Sequence, residues 1–546
     1  MTQEYTPVAP GRRRFIEQIG GATAAAVAAS AIGIPSLTLG GSSNALGAEV
    51  GPLNDNQRAN KAYQFRHKAA LDEMNLSLPT HPDNGDEERY TKRIGNYSKG
   101  LPHNALGEVD LSAYNALLHA MATGAPSDFD AIALGGTFKQ TNPQSALAFE
   151  LDAADSHHLG CPAPPAFASE DEAAEMCEVY WQALTRDVSF SQYGSELLTI
   201  AAINDLSQFA KFSGLNGGNL FRGQTAGDLI GPYVSQFLWK PFSFGSLPNV
   251  TQQYRTTVAG DDHMTAYSTW LKIQNGMPAS VGNTFDGTRR FIRNGRDLGE
   301  WVHRDFTYQG FLVATLILLS FGPSALDDGN PYKTSANQTG FATFGSPHIL
   351  DLVARAACLG LKAAWYQKWS VHRRLRPEAF GGFVHHQKTG AASYPIHTKL
   401  LNSLAAQEVF NRYGTYLLPM AYPEGCPTHP AYPAGHAVIA GACSTVLKAF
   451  FKDSFEIPNP VVANDDGLAL VPYNGTLTVG GELNKLAANI AIARDAAGVH
   501  WRSDGIEGLK LGEQVAISLL RDYQKSTNEN FNGFSLSKFD GGTIII

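Results

Sequence analysis

The chain has 546 residues, with 42 Lys+Arg against 50 Asp+Glu, a formal net charge of −8, 43 % hydrophobic and 17 % charged residues. A chain this long and this apolar can bury a sizeable core, which excludes wholesale disorder. The acidic balance lacks the basic footprint of a general nucleic-acid binder, although it leaves room for a local cationic pocket.

Residues 11–17 read Gly-Arg-Arg-Arg-Phe-Ile-Glu, and a weakly apolar Ala/Gly-rich run follows from Ile19 to about Leu39. Small residues at Ser43-Asn44-Ala45 and Leu46-Gly47-Ala48 could serve a signal peptidase. A charged start, apolar middle and small-residue end are the parts of an export signal, and paired arginines before Phe15 resemble the twin-arginine type. Residues 1–48 are therefore expected to address the protein to the periplasm or cell exterior of a bacterium, with no membrane association after export. Gly, Ser, Thr and Pro35 dilute the run below what a spanning anchor needs.

The first clear helix is predicted over 170–186, where Ser169 can cap and acidic residues crowd the first turn. Further helices are predicted near 298–320, 347–369, 396–413, 435–452, 483–497 and 505–523. The near-continuous apolar run from Phe311 marks a buried helix. Strand patterns are few: a short one at 467–473 and a hairpin near 534–546. The expected fold is mainly α, with helical bundles joined by long loops and minor short strands. A cluster of Pro, Asn, Gln and Gly near 245–262 divides an N-terminal helical accessory region (49–260) from a C-terminal helical-bundle catalytic region (261–546). The five cysteines form no CxxC pair, which argues against a structural zinc site. A bridge in an exported protein would most readily join Cys161 and Cys177, the nearest pair, and free thiols are the alternative.

Three cationic segments carry chemistry. The first runs from Trp365 to Glu378 and packs Lys368, His372, Arg373, Arg374 and Arg376 around helix-breaking Pro377. The second, Pro427-Thr-His429-Pro-Ala-Tyr-Pro-Ala434-Gly435-His436, is a Pro-rich loop delivering a Gly-His pair to a helix start. The third holds Arg494, Gly498, His500, Arg502 and Asp504. Any one alone reads as a solvated basic face. Their arginines, however, lie beside aromatic and apolar residues, and each segment contains a breaker that frees backbone N–H groups for an anion. No HExxH or Cys/His spacing points to zinc. Together Lys368, Arg376, Arg494, two histidines and a glycyl N–H make a cage for a compact tetrahedral oxyanion. On one straight helix Arg494 and His500 would stand roughly 240° apart. They converge only if the chain turns, and Gly498 is placed to end the helix. Trp365 shares a face with Lys368 and is expected to wall the pocket. Arg373 and Arg374 are expected to be structural, and His385-His386, taken as a loop pair pointing apart, is left out of the site.

The order Lys-x7-Arg-Pro, Gly-His, Arg-x5-His resembles the vanadium-dependent haloperoxidases and the type 2 phosphatidic-acid phosphatase superfamily. It is most similar to the algal and cyanobacterial bromoperoxidases, with similar context from about Cys161 to Gly512. The resemblance implies vanadate as cofactor, with phosphate able to take its place. His500 would be the apical vanadium ligand, and Lys368, Arg376, Arg494 and the Gly435 N–H would hold its oxygens. His436 would be the acid–base residue and Asp305 the carboxylate orienting it. His429 would tune halide oxidation. Two ordinary alternatives stand beside these roles: His429 as a structural residue of its loop, and Asp305 as one partner of a helix ion pair with Arg304 or another cation. The family usually carries Ser where this chain has Ala434. One hydroxyl donor is thus missing, worth on the order of 1.5–3 kcal/mol. The implied reaction is oxidation of bromide, with iodide or chloride as further candidates, by hydrogen peroxide to a hypohalous-acid-like species that halogenates small organic acceptors. The resemblance also implies a homo-oligomer, at least a dimer. A phosphatase using His500 as nucleophile and a non-catalytic oxyanion binder remain as alternatives.

Overall fold

Glu170–Thr185 (α1) forms as its sequence predicts: Ser169 accepts a hydrogen bond from the Glu172 N–H at 3.1 Å, and three acidic residues occupy the first turn. Six more helices position the candidate site: Gly295–Arg304 (α2), Ser346–Tyr366 (α3), Pro377–Thr389 (α4), Gly435–Phe450 (α5), Val479–Ala496 (α6) and Arg502–Ser526 (α7). The computed structural model describes residues 52–546. The expected export signal over 1–48 lies outside the described residues, which form one compact unit.

Helix α5 is buried along nearly its whole length and packs against α3, α6 and α7. Glycines allow the close approach. An added Cβ at Gly441 would collide with the Leu509 carbonyl of α7, and one at Gly512 with the Val438 carbonyl of α5. At Gly360 of α3 it would stand 3.4 Å from the same Val438 oxygen. Apolar side chains of α2, α3, α5, α6 and α7 form one core, including Leu298, Ile349, Val446, Leu483 and Leu520. A second core joins α1, α4 and the 394–431 region through Met176, Trp181, Phe380 and Leu417.

The fold is mainly α. Three antiparallel hairpins are its sheets among the described residues: Phe242–Phe244 (β1) with Leu247–Val250 (β2), Val461–Ala463 (β3) with Leu470–Pro472 (β4), and Ser535–Ser537 (β5) with Thr543–Ile545 (β6). The β5–β6 hairpin lies where one is expected near 534–546, and β4 lies in the expected strand at 467–473, whereas its partner β3 falls outside the expected strands and the first hairpin falls at the start of the 245–262 stretch. Residues on both sides of 260 pack together, with α1 lying against α6.

Several expected helices are divided. The 298–320 pattern breaks at Asp305, whose extended backbone ends α2 before a second helix, Gln309–Ser320. The 396–413 pattern splits into Thr398–Leu401 and Leu404–Tyr413, because Ser403 caps the second helix by accepting from the Ala406 N–H. The 347–369 pattern ends at Tyr366 and passes into a π-helical turn, Gln367–His372. All five cysteines are free thiols. A Cys161–Cys177 bridge is therefore not formed, and Cys177 instead lies 3.4 Å from the Asp205 carboxylate. His385 and His386 sit on helix α4 rather than a loop, their ring centroids 5.8 Å apart. Among the described residues no helix is long and apolar enough to cross a membrane.

Candidate active site

The π-helical turn after α3 carries Lys368, and Arg373, at φ +41°, closes it. Such insertions change which side chains face inward. Lys368 is wholly buried, and its Nζ donates to the carbonyls of Pro430 and Ala431 at 2.8 and 2.6 Å. Arg376 occupies the N-cap of α4, and Pro377 takes the first helical position, where a missing N–H costs nothing. The Arg376 guanidinium joins two segments. Nε and Nη2 donate to the His429 carbonyl at 3.1 and 3.0 Å. Nη1 donates to the Val499 carbonyl at 2.6 Å and to His500 Nε2 at 2.9 Å.

Arg494 lies in the last turn of α6. Gly498, at φ +84°, then reverses the chain: its N–H donates to the Asp495 carbonyl at 2.8 Å, and the Val499 N–H to the Arg494 carbonyl at 3.0 Å. This paired pattern is the glycine-terminated Schellman cap, and it returns His500 toward Arg376. Arg494 donates to the Val302 carbonyl at 3.2 Å and stands over the Tyr422 ring. Its buried Nε has no partner. His500 Nδ1 lies 2.7 Å from Asp504 Oδ2. A carboxylate can only accept, so Nδ1 carries the proton and Nε2 turns its lone pair toward the cations.

Lys368, Arg376 and Arg494 thus converge with little opposing charge. The nearest engaged carboxylate, Asp504, is shared with Arg374 at 2.7 Å and with His500. Burial, then the Arg376 charge, holds Lys368 well below the ordinary lysine range. Burial, then Arg376 and Lys368, also pushes His429 and His500 well below the usual imidazole range, so both are neutral. Burial is the first cause of all three directions and the surplus of positive charge the second, and a bound anion would relieve that surplus.

Ala434 is the N-cap of α5 and supplies no side-chain cap, leaving the first N–H groups of α5, Gly435 among them, for another acceptor. His436, the second residue of α5, lies 3.1 Å through Nε2 from Asp305 Oδ1 and is the open side of the group at 31 % exposure. Arg304 pairs with Glu300 at 3.2 Å, which leaves Asp305 to His436. His429 is buried, its Nδ1 accepts from Arg376 Nη2 at 3.0 Å, and its ring lies 4.7 Å from that of Trp365. Trp365 is half-buried and donates to the Thr141 carbonyl at 3.1 Å. An added Cβ on Gly435 would touch its ring at 3.4 Å.

The structure therefore brings Trp365, Lys368, Arg376, His429, Ala434, Gly435, Arg494 and His500 together, with the His436–Asp305 pair beside Gly435. The sequence reading missed the layer beneath them. Asp504 orients His500, and its i,i+4 spacing on a helix start was a usable signal. Arg374 is held by Glu172 and Glu175 as well as Asp504, and Arg502 by Glu178. Those glutamates recur every third residue on α1, where the sequence suggested only a favourable helix start. Tyr422, which supports Arg494, carried no local signal. Arg373 pairs with Glu87, and His385 and His386 bond to the Tyr416 N–H and the Tyr267 hydroxyl.

The family model for the second helical-bundle domain of VCPO matches residues 352–529, a span from α3 to α7. A vanadium-dependent bromoperoxidase of Ascophyllum nodosum is 35 % identical over 538 residues, covering 91 % of this chain and 95 % of its own. One from Corallina pilulifera is 34 % identical over 596 residues, covering 90 % and 99 %. The homohexameric structure of a second vanadate-dependent bromoperoxidase from Ascophyllum nodosum superposes with a TM-score of 0.84 at 32 % identity, over 95 % of each chain. With such relatives matched along nearly their whole length, the chain belongs to the vanadium-dependent bromoperoxidase family.

Proposed function

We propose that the protein is a vanadate-dependent haloperoxidase that uses hydrogen peroxide to oxidise bromide to a hypobromous-acid-like species, which halogenates small organic acceptors. The observation that carries this is the group of three buried basic side chains closed on one side by neutral His500, whose Nε2 faces them.

The residues present suit vanadate. The unpartnered Arg494 Nε, the cationic surplus and the free Gly435 N–H all ask for a compact oxyanion. Lys368, Arg376, Arg494 and Gly435 would hold its oxygens, and His500 would be its protein ligand, oriented by Asp504. Bound vanadate supplies Lewis-acid activation of peroxide with no change in oxidation state. His436 donates through Nε2 to Asp305, so its Nδ1 is the atom that takes the peroxide proton. Lys368 supplies a fixed point charge in a water-poor setting, where it acts most strongly. His429, pressed against Trp365 and held by Arg376, would tune halide oxidation. Phosphate would compete for the same cage.

Export through a twin-arginine-type signal over 1–48 rests on the Arg12-Arg13-Arg14-Phe15 run, and a homo-oligomer is supported by the homohexameric relative.

The test is bromination of a phenol or diketone dye in peroxide and bromide, with metal-free protein titrated by orthovanadate. Saturable activity that phosphate suppresses is expected. Vanadate-inhibited hydrolysis of a phosphomonoester without bromination would move the protein to the phosphatases, and neither activity would leave an oxyanion-binding protein.

A further inference from the structure

A cavity of about 600 Å³ lies between α6 and α7, away from the oxyanion cage. Ala488, Ala491, Ile492 and Asp495 line it from α6, a single stripe at helical spacing. Ile506, Leu509 and Ile517 line it from α7, and residues 223–225 and 538–540 form its ends. Arg494 and its neighbour Asp495 diverge: the first reaches Val302 and Tyr422 in the cage, the second faces this cavity.

Asp495 is the informative residue. It is 2 % exposed, and its Oδ1 is enclosed with no hydrogen-bond partner. Thr225 Oγ1, on the facing segment, is also enclosed and unpartnered. Buried polar atoms are nearly always paired, and two orphans lining one cavity mark a place where a partner is missing. Burial, then the charge of Glu178, holds the Asp495 carboxyl well above the usual range, so it is a neutral group that both donates and accepts. The one arginine in the wall, Arg502, is consumed by Glu178 and the Arg222 carbonyl. Lys510 and Lys538 also line it but are paired with Glu507 and Asp540. An anion therefore finds no unpaired cation here, and the walls between the polar atoms are largely apolar.

We propose that this cavity is a second binding site, for an uncharged, mainly apolar small molecule carrying one hydroxyl, of which a simple phenol is the type. Its hydroxyl would pair with the Asp495 carboxyl and the Thr225 hydroxyl, whose covered oxygens a side-chain rotation would first expose to the cavity, and its body would lie against Ile492, Ile506 and Leu509. The volume falls within the range that encloses a small organic ligand. The assignment does not depend on the chemistry of the oxyanion cage.

The experiment uses the vanadate-saturated protein without peroxide or bromide, so that no turnover occurs. 4-Propylphenol and propylbenzene are titrated by calorimetry and thermal shift against the unaltered protein, Ile506→Trp, Asp495→Leu and Thr225→Val. Ile506 is half-buried at the cavity rim, so the larger ring fills space without entering the core. Saturable binding of 4-propylphenol is expected, at least about tenfold weaker in Ile506→Trp, which occupies the volume the probe needs. The preference for 4-propylphenol over propylbenzene should shrink at least about fivefold in Asp495→Leu or Thr225→Val, since each removes a partner of the hydroxyl. No saturable binding at millimolar probe, or equal binding in Ile506→Trp, overturns the proposal. So does a change in native mass in Ile506→Trp, which would show that a second copy of the chain covers the cavity.

Discussion

Asp504→Asn tests how the ligand histidine is set. Asp504 Oδ2 accepts from His500 Nδ1 at 2.7 Å and from the Trp501 N–H at 3.2 Å, while Oδ1 accepts from Arg374 at 2.7 Å. Each partner is a donor, and an amide has only one accepting oxygen. Arg374 carries the charge and claims that oxygen, which turns the amide N–H₂ toward His500. The His500 proton then moves from Nδ1 to Nε2, the atom that must offer a lone pair to vanadium. One charge-assisted hydrogen bond is lost, about 1.5–3 kcal/mol, or roughly 10- to 150-fold in orthovanadate affinity. The fold should persist, because Arg374 keeps Glu172 and Glu175. Calorimetric titration of metal-free protein at constant pH, with circular dichroism as the folding control, reads both quantities. A folded variant that binds orthovanadate within about threefold of the unaltered protein would refute the tautomer argument, since a lost charge-assisted bond predicts more.

His436→Ala removes the proton acceptor but no cage donor. Steady-state bromination should fall about 10²- to 10⁴-fold while orthovanadate affinity stays within a few-fold. Ala434→Ser adds a cap to α5 and a hydroxyl donor. Orthovanadate binding should tighten about tenfold, and stability should rise by about 1 kcal/mol, both read from one titration and melting series. His372→Phe tests acid sensitivity. Both ring nitrogens of His372 are buried without partners, and burial lowers its pKa to about 3. The unfolded chain takes that proton near pH 6.5, so His372 contributes stability above about pH 6.5 that is lost as pH falls toward 3. Between pH 8 and pH 5 the variant should lose about 2 kcal/mol less than the unaltered protein in denaturant unfolding, and equal losses would contradict this.

The cage was legible because its breakers are local. Pro377, Gly435 and Gly498 each mark a helix end, and each places a basic or histidine residue beside freed backbone groups. What the sequence hid is long-range. Glu172, Glu175 and Glu178 look like a solvated acidic face of α1 until tertiary packing buries them against Arg374 and Arg502. Tyr422 meets Arg494 across 72 positions, with nothing local to announce it. Helix division was also missed where the hydrophobic period runs on, as across Asp305 and Ser403, because capping geometry interrupts a pattern that periodicity alone continues. The π-helical turn at Gln367–His372 is invisible to a 3.6-residue period, although it is what carries Lys368.

The buried cationic cage closed by His500 is expected to take up a single compact oxyanion. Calorimetric titration of metal-free protein with orthovanadate tests it most directly, with His500→Ala and competing phosphate as the two comparisons. One vanadate per chain is expected, displaced by phosphate, with affinity sharply reduced in His500→Ala. Uptake that is absent in the unaltered protein, or unchanged by His500→Ala, would contradict it.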